Sequence, residues 1–137
     1  MEWVKGEFVL TDDSSRVDLT RTFDLLQATY WGVRRPRDVV EKMIEKSLCF
    51  VLLLDSVQIG FGRAVTDYTV FSWIADLVVD SQYRSRGLGK WMMETIVDHP
   101  SISRTQMVLQ TRDAHALYEK YGFLKNSALM STRVVGL

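Results

Sequence analysis

The stretch from residue 71 to residue 99 constrains the fold of this chain more than any other part of the sequence. It begins with Phe71–Val79, which is rich in β-branched and aromatic side chains and contains no proline, so it favours an extended strand. A turn with two glycines follows, and apolar residues then recur at helical spacing until Pro100. The pattern predicts a strand, a tight turn and a helix in direct succession.

The turn, residues 84–90, has the composition of a phosphate-binding site. Gly87 and Gly89 allow the backbone to approach a ligand closely, and the helix that begins here offers free N–H groups and the positive end of its dipole. We therefore predict that the N–H groups of residues 86–90 bind a phosphate-bearing ligand, with added charge from nearby cations. These cations are Arg84, Arg86 and Lys90.

Two common phosphate-binding motifs do not fit this turn. A P-loop would need glycine in place of Arg84 and Ser or Thr in place of Trp91. A dinucleotide-binding fingerprint would need a third glycine in place of Met92. A polar turn with solvated charges is the alternative to a phosphate site.

The composition limits the functional class. The 137 residues, 47% hydrophobic and 25% charged, suit a single globular domain over residues 1–137. Lys plus Arg and Asp plus Glu number 17 each, so no overall basic field favours nucleic acid. The N-terminus lacks a signal-peptide layout, and the longest apolar run, Leu48–Leu54, is too short to span a bilayer. The single cysteine, Cys49, lies in this apolar run and suits a reducing compartment, so we expect a cytoplasmic protein.

The remaining elements surround the central strand. The predicted order is β-α-α-β-β-β-α-β-α-β-β, which implies an α+β sandwich, with helices around one mixed sheet. The elements outside residues 71–99 are strands at Phe8–Thr11, Leu48–Leu54, from Val57, and at Gln106–Gln110, helices capped by Asp18, opened by Pro36 and capped by Asp113, and closing strands at Phe123–Leu124 and Ala128–Val135.

Two motifs resemble the GNAT superfamily of acyl-coenzyme A-dependent N-acyltransferases. Arg84-x-x-Gly87-x-Gly89 after a strand resembles that family's pyrophosphate loop, Gln/Arg-x-x-Gly-x-Gly/Ala. Residues 113–123 resemble its coenzyme helix, although the spacing before the Leu117-Tyr118 pair is shorter. The resemblance covers most of residues 50–123. It implies a GNAT fold, a mixed and mostly antiparallel sheet of six to seven strands with helices on both faces.

The resemblance also implies an activity. It predicts a cytoplasmic N-acetyltransferase, monomer or homodimer, that moves an acetyl group from acetyl-coenzyme A to a small-molecule primary amine by direct attack. No metal and no nucleic-acid or membrane partner is expected. A module of the same fold that binds coenzyme A without turnover is the alternative. A nucleic-acid binder using the basic turn lacks an aromatic stacking pattern.

Most coenzyme contacts are implied by position in the motifs. Leu77, Val78 and Val79 would pair with the pantetheine arm as an added strand does. The loop residues Arg84, Arg86, Gly87, Leu88, Gly89 and Lys90 would bind the pyrophosphate. Asp113 is also placed among the coenzyme contacts. Many relatives carry Asn at this position, and the contact of its side-chain amide with the pantetheine is not expected for Asp113.

Asp76 on the central strand is a candidate general base. Strand alternation places it between Ile74 and Val78 on one face. Apolar neighbours desolvate a carboxylate, which favours its neutral form and suits it to accept a proton near neutral pH. The alternatives are an aspartate exposed at the rim of the strand, and an ordered water as the base.

Tyr118 is the candidate general acid by resemblance, because the tyrosine of Leu-Tyr in this motif protonates the coenzyme thiolate in many relatives. The alternative is an aromatic side chain that only packs its helix on the sheet. Tyr121 is predicted to pack beside Gly122 and Phe123. Between the first two helices, Trp31, Arg34 and Arg35 lie where the family places the acceptor site. An ordinary solvated loop is the alternative there.

Overall fold

Six strands form one sheet in the computed structural model of the protein, which describes residues 1–132. The strands lie in sequence order, and all neighbours are antiparallel except β5 and β6, which are parallel. The predicted mixed and mostly antiparallel sheet is therefore confirmed. The strands are β1 (Glu2–Lys5), β2 (Phe8–Thr11), β3 (Leu48–Leu54), β4 (Val57–Thr66), β5 (Phe71–Val79) and β6 (Gln106–Leu109).

Helices cover both faces of this sheet. One face carries α1 (Leu19–Gln27) and α2 (Arg37–Glu45), and the other carries α3 (Leu88–Asp98). Asp18 caps α1, since its side chain accepts a hydrogen bond from the Arg21 N–H at 3.0 Å. Pro36 stands at the cap position of α2, one residue before its predicted place inside the helix.

The predicted closing strands are wrong within the described residues. Residues 123–132 form no strand, and residues 133–135 of the second predicted strand lie outside the described part. Leu124 and Met130 are 83% and 92% exposed, so the apolar pattern of this segment does not correspond to burial against the sheet. The sixth strand is instead β1, which pairs with β2 across a two-residue turn containing Gly6 at φ 59°.

A β-bulge interrupts the central strand. The β4–β5 register shifts between Phe61 and Arg63, and Asp76 has a positive φ of 57°. As a result, Ile74 and Leu77 both pack in the core beneath α3, whereas Val78 packs beneath α1 and α2. The prediction that Ile74, Asp76 and Val78 share one face is therefore wrong at Ile74.

The helix α4 (His115–Glu119) is shorter than predicted and begins differently. Asp113 does not cap it, because Ala114 occupies the cap position and its N–H donates to the Thr111 hydroxyl at 3.0 Å. The glycine at position 122 predicts the end of this helix, and the structure confirms it. Gly122 has φ 88°, and the Phe123 N–H reaches back to the Tyr118 carbonyl at 3.3 Å, as in a Schellman motif.

Within residues 1–132, every helix is too short or too polar to cross a membrane.

We predict that Cys49 is chemically inert in the folded protein. Its side chain is buried beneath α1 and α2, and this burial raises the pKa of the thiol to about 11. Iodoacetamide at pH 8 should therefore alkylate the protein only after unfolding in urea. Mass spectrometry checks this directly, because the chain has one cysteine. Rapid alkylation of the native protein would contradict the buried position.

Candidate functional site

A cleft opens where β5 and β6 part. The two strands pair from Phe71 to Ile74 with Gln106 to Leu109, and no pairing continues beyond Ile74 within residues 1–132. Residues 77–79 of β5 therefore face the cleft with backbone groups that β6 does not bond, while Val78 and Val79 still pair with β4 on the other side. Such an open edge can accept an extended ligand as an added strand.

A pocket of about 230 Å³ lies against this open end of β5. It brings together the end of β5, the first turn of α3 and the helix α4, which the sequence motifs predicted to meet around the coenzyme. The lining residues are Leu77, Val78, Val79, Gly89, Lys90, Met93, Leu117, Tyr118 and Tyr121.

The predicted phosphate loop turns directly into α3. Gly87 occupies the cap position with φ 75°, a left-handed conformation that favours glycine. The first intrahelical bond is donated by the Trp91 N–H to the Gly87 carbonyl at 3.0 Å, so the N–H groups of residues 88–90 have no partner within the helix. Leu88 is buried and offers only its backbone, whereas the side chains of Arg84, Arg86 and Lys90 are exposed.

The entry to this loop is held by Asp80. One carboxylate oxygen accepts from the Gln82 N–H at 3.0 Å, and the other accepts from Arg21 of α1 at 3.1 Å. The Asp80 N–H donates to the Ile59 carbonyl at 2.7 Å. These contacts anchor the loop to α1 and to β4.

Tyr118 is half-buried and lines the pocket. Burial raises the pKa of its phenol, and the nearby Tyr30, Tyr121 and Asp113 act in the same direction. The phenol therefore stays protonated at neutral pH, as an acid must before it gives up a proton. Its ring packs edge-on against Phe123, with the centroids 6.3 Å apart.

Tyr121 has a buried hydroxyl that finds no hydrogen-bond partner among the described residues. Its ring lines the same pocket as that of Tyr118. Both tyrosines line the pocket, but only the hydroxyl of Tyr121 is both buried and without a hydrogen-bond partner among residues 1–132.

Asp76 is surrounded by arginines. Its Oδ1 accepts from Nη1 of Arg35 at 2.6 Å, and its Oδ2 accepts from Nε of Arg63 at 2.5 Å. The prediction of apolar neighbours is wrong, because the bulge turns Asp76 to the face of α1 and α2, where both guanidinium groups lie. Its role as general base stays a prediction.

The α1–α2 loop, residues 28–36, and the segment before α4 meet beside Tyr118. Tyr30 and Trp31 form an exposed edge-to-face pair with centroids 4.9 Å apart, and Cζ of Arg112 lies 3.8 Å from the centroid of the Tyr30 ring. Trp31 and Arg34 are exposed, which fits both an acceptor surface and an ordinary solvated loop. Arg35 is not, because Asp76 binds its guanidinium and its side chain is 11% exposed.

The sequence interpretation missed Tyr30, Arg63 and Arg112. Tyr30 lies in the α1–α2 loop, beyond the end of α1 at Gln27. Arg63 lies in a strand, where its position alone indicates no partner. Arg112 lies in the motif that contains Tyr118, yet its contact with Tyr30 spans most of the chain. Among the predicted coenzyme residues, Asp113 is exposed and does not line the pocket.

Comparison with known proteins gives a consistent family. The sequence model of the acetyltransferase (GNAT) domain matches residues 45–125. A GNAT-family protein of known structure from Xanthomonas campestris pv. campestris is 32% identical, with 98% of each chain covered and a TM-score of 0.90. A GNAT acetyltransferase from Elizabethkingia anophelis, solved with acetyl-CoA bound, has a TM-score of 0.69 at 14% identity, covering 90% of this chain and 80% of that one.

A curated relative from Gibberella zeae, provisionally named an acetyltransferase, is 22% identical over 144 residues. The alignment covers 88% of this chain and 81% of the relative. The domain match spans more than half of the sequence, and the Xanthomonas protein aligns over nearly all of it. This chain belongs to the GNAT family of acetyltransferases.

Proposed function

We propose that the protein transfers an acetyl group from acetyl-coenzyme A to the primary amine of a small molecule. The observation that carries this proposal is the pocket at the open end of β5, which joins an open strand edge, a helix N-terminus with free N–H groups and the side chain of Tyr118. These are the features that an acyl donor with an extended amide arm and a pyrophosphate requires. The acetyl-CoA bound to the Elizabethkingia relative supports the same donor.

The donor is bound in two parts. The pyrophosphate lies on the N–H groups of residues 86–90, and Arg84, Arg86 and Lys90 add charge-assisted contacts. The pantetheine arm lies along residues 77–79 and pairs with the backbone that β6 leaves free.

The reaction is a direct attack. The amine nitrogen forms a bond to the acetyl carbon, a backbone N–H of β5 stabilises the oxyanion, and the carbon–sulfur bond breaks. Tyr118 gives its proton to the departing sulfur. The proton lost by the amine goes to Asp76 or to an ordered water, the two acceptors considered from the sequence.

The acceptor binds beside the α1–α2 loop. Its amine reaches the acetyl group past Tyr30 and Trp31, and the exposed cations near this pair are Arg34 and Arg112. Two guanidinium groups favour an acceptor that carries a carboxylate or phosphate in addition to its amine. Arg112 takes the place that the sequence interpretation assigned to Arg35.

We predict that Gly89→Glu abolishes tight binding of coenzyme A. The new carboxylate would lie beside the pyrophosphate, and a mispaired charge in a binding site costs about 2–5 kcal/mol. Calorimetry on the folded variant measures the change in Kd. Gly89→Ala is the matched control, since a Cβ there meets only Cγ2 of Val79 at 4.0 Å. Equal affinity of Gly89→Glu and the wild type would refute the loop assignment.

We predict that Tyr118→Phe slows turnover by about a hundredfold, as expected for the loss of one proton-transfer group. Coenzyme affinity should stay within about threefold, because the change affects the transition state and hardly the bound ground state. Free-thiol release from acetyl-coenzyme A at saturating amine measures this.

Tyr121→Phe provides the control for Tyr118→Phe. It also removes one hydroxyl near the pocket, but that hydroxyl is buried and has no partner in the described part of the chain. We expect normal turnover and an unfolding free energy that is unchanged or up to about 1 kcal/mol higher. If both variants turn over alike, Tyr118 is not the acid.

We predict that amines bearing a carboxylate or phosphate are better acceptors than plain diamines. For such acceptors, Arg112→Gln should raise KM by about tenfold, the size expected for one lost charge-assisted hydrogen bond. Arg104→Gln is the control, because Arg104 is exposed at the opposite end of β6. A screen in which plain diamines exceed every anionic amine would contradict this acceptor class.

A further inference from the structure

We propose that Asp76 is a positioning residue of the acetyl-transfer site. Its carboxylate, held between Arg35 and Arg63, fixes the bulge of β5 next to the coenzyme cleft and the α1–α2 loop next to the acceptor. This inference rests on the proposed function and concerns how its site is held in shape.

The bulge places Asp76 in an unusual backbone conformation. On β4, Arg63 pairs with Ala75 and Phe61 pairs with Val78, so residues 76 and 77 together face the single residue Gly62. The φ of 57° at Asp76 is in the left-handed region, which aspartate tolerates better than most residues but still at a cost. Contacts of the Asp76 side chain must offset this cost for the bulge to persist.

Those contacts are two short ion pairs in a buried setting. The Asp76 side chain is 1% exposed, and those of Arg35 and Arg63 are 11% and 14% exposed. Arg63 also donates from Nη1 to the Ser47 hydroxyl at 3.1 Å. A buried carboxylate without these cations would be strongly destabilising, so the three side chains hold one another in place.

The cluster joins both halves of the site. Asp76 directly precedes residues 77–79, so the bulge sets the direction in which their backbone groups enter the cleft. Arg35 lies in the α1–α2 loop, which also carries Trp31. This loop is itself ordered, because the buried Thr29 hydroxyl donates to the Leu26 carbonyl at 2.7 Å and accepts from the Gly32 N–H at 2.9 Å.

The ion pairs of Asp76 with Arg35 and Arg63 also argue against a role of Asp76 as proton acceptor. Each carboxylate oxygen of Asp76 already accepts a short hydrogen bond from a guanidinium group. With 1% of its side chain exposed, the carboxylate has no open path to an amine in the cleft. Under this proposal the amine loses its proton to an ordered water.

The variant Arg35→Gln separates positioning from base catalysis, because it leaves the carboxylate of Asp76 in place. If Asp76 positions the site, kcat/KM for the amine should fall by about tenfold to a hundredfold, as expected when reacting groups shift by about 1 Å. If Asp76 is the base, this variant still has the carboxylate that accepts the proton, and kcat/KM is kept. An unchanged or higher kcat/KM therefore overturns the proposal.

Arg37→Gln is the matched control. Arg37 is exposed and ties α2 to α1 by donating from Nη2 to the Thr20 hydroxyl at 2.7 Å, but it does not contact Asp76. We expect wild-type kcat/KM for this variant. A loss equal to that of Arg35→Gln would assign the effect to helix packing and overturn the proposal. If Arg35→Gln does not fold, Arg35→Lys replaces it. We expect kcat/KM of Arg35→Lys to fall by less than that predicted for Arg35→Gln. A wild-type kcat/KM would overturn the proposal.

Asp76→Asn gives a second test. Asparagine tolerates the left-handed backbone, so this change removes the charge of residue 76 and its ion pairs without adding steric strain at φ 57°. We expect a lower kcat/KM with the acidic limb of its pH profile retained, whereas removal of a base abolishes that limb. The double variant with Arg35→Gln should lose less than about threefold beyond the worse single variant, because both changes break the same Asp76–Arg35 ion pair. Multiplied losses, or a missing acidic limb, overturn the proposal.

Amide hydrogen exchange keeps this inference separate from the proposed function. Faster exchange of residues 76–79 in Arg35→Gln than in Arg37→Gln supports the positioning role, whether or not the wild type acetylates any amine tested. If the wild-type protein acetylates none of the amines tested, this result contradicts the proposed function but not the positioning role. Equal exchange in the two variants overturns the positioning role.

Discussion

The parting of β5 and β6 is the constraint on which the candidate site depends. Two parallel neighbours need a crossover connection, and α3 provides it. The N-terminus of α3 therefore lies near the carboxyl end of β5, where residues 77–79 have left the ladder with β6. Backbone polar groups that leave a sheet need other partners. A ligand with amides along its arm and a phosphate at its end meets both needs together.

The irregularity of β5 has its counterpart on β4. A Cβ at Gly62 would lie 3.1 Å from Cδ1 of Leu77 and 3.3 Å from Cδ1 of Ile96. Because glycine has no side chain there, Leu77 can enter the core beneath α3 even though the bulge has changed the alternation of the strand. The bulge is thus accommodated by one missing side chain and stabilised on the other face by Asp76 and its arginines.

Cations serve two different purposes near the cleft, and burial separates them. Those of the predicted phosphate loop are exposed, and exposed charges cost little in the absence of a ligand. Arg35 and Arg63 are largely buried, where a charge must be paired. The equal totals of 17 acidic and 17 basic residues conceal this division. Composition excludes an overall basic field but does not reveal which cations are available to a ligand.

The sequence by itself determined the elements that depend on near neighbours along the chain. The strand, glycine turn and helix of residues 71–98, the cap at Asp18 and the stop at Gly122 all follow from contacts within a few positions. The same local reasoning failed for the segment after Gly122, whose apolar residues indicate a strand without indicating what would cover it.

Only the tertiary structure decided the surroundings of Asp76 and the wall of the proposed acceptor site. Arg35 and Arg63 lie 41 and 13 positions from Asp76, and Tyr30 meets Arg112 across most of the chain. No periodicity encodes such pairs. A strand period of two predicts faces only while the ladder is regular, and one bulge was enough to move Asp76 from apolar neighbours to two arginines.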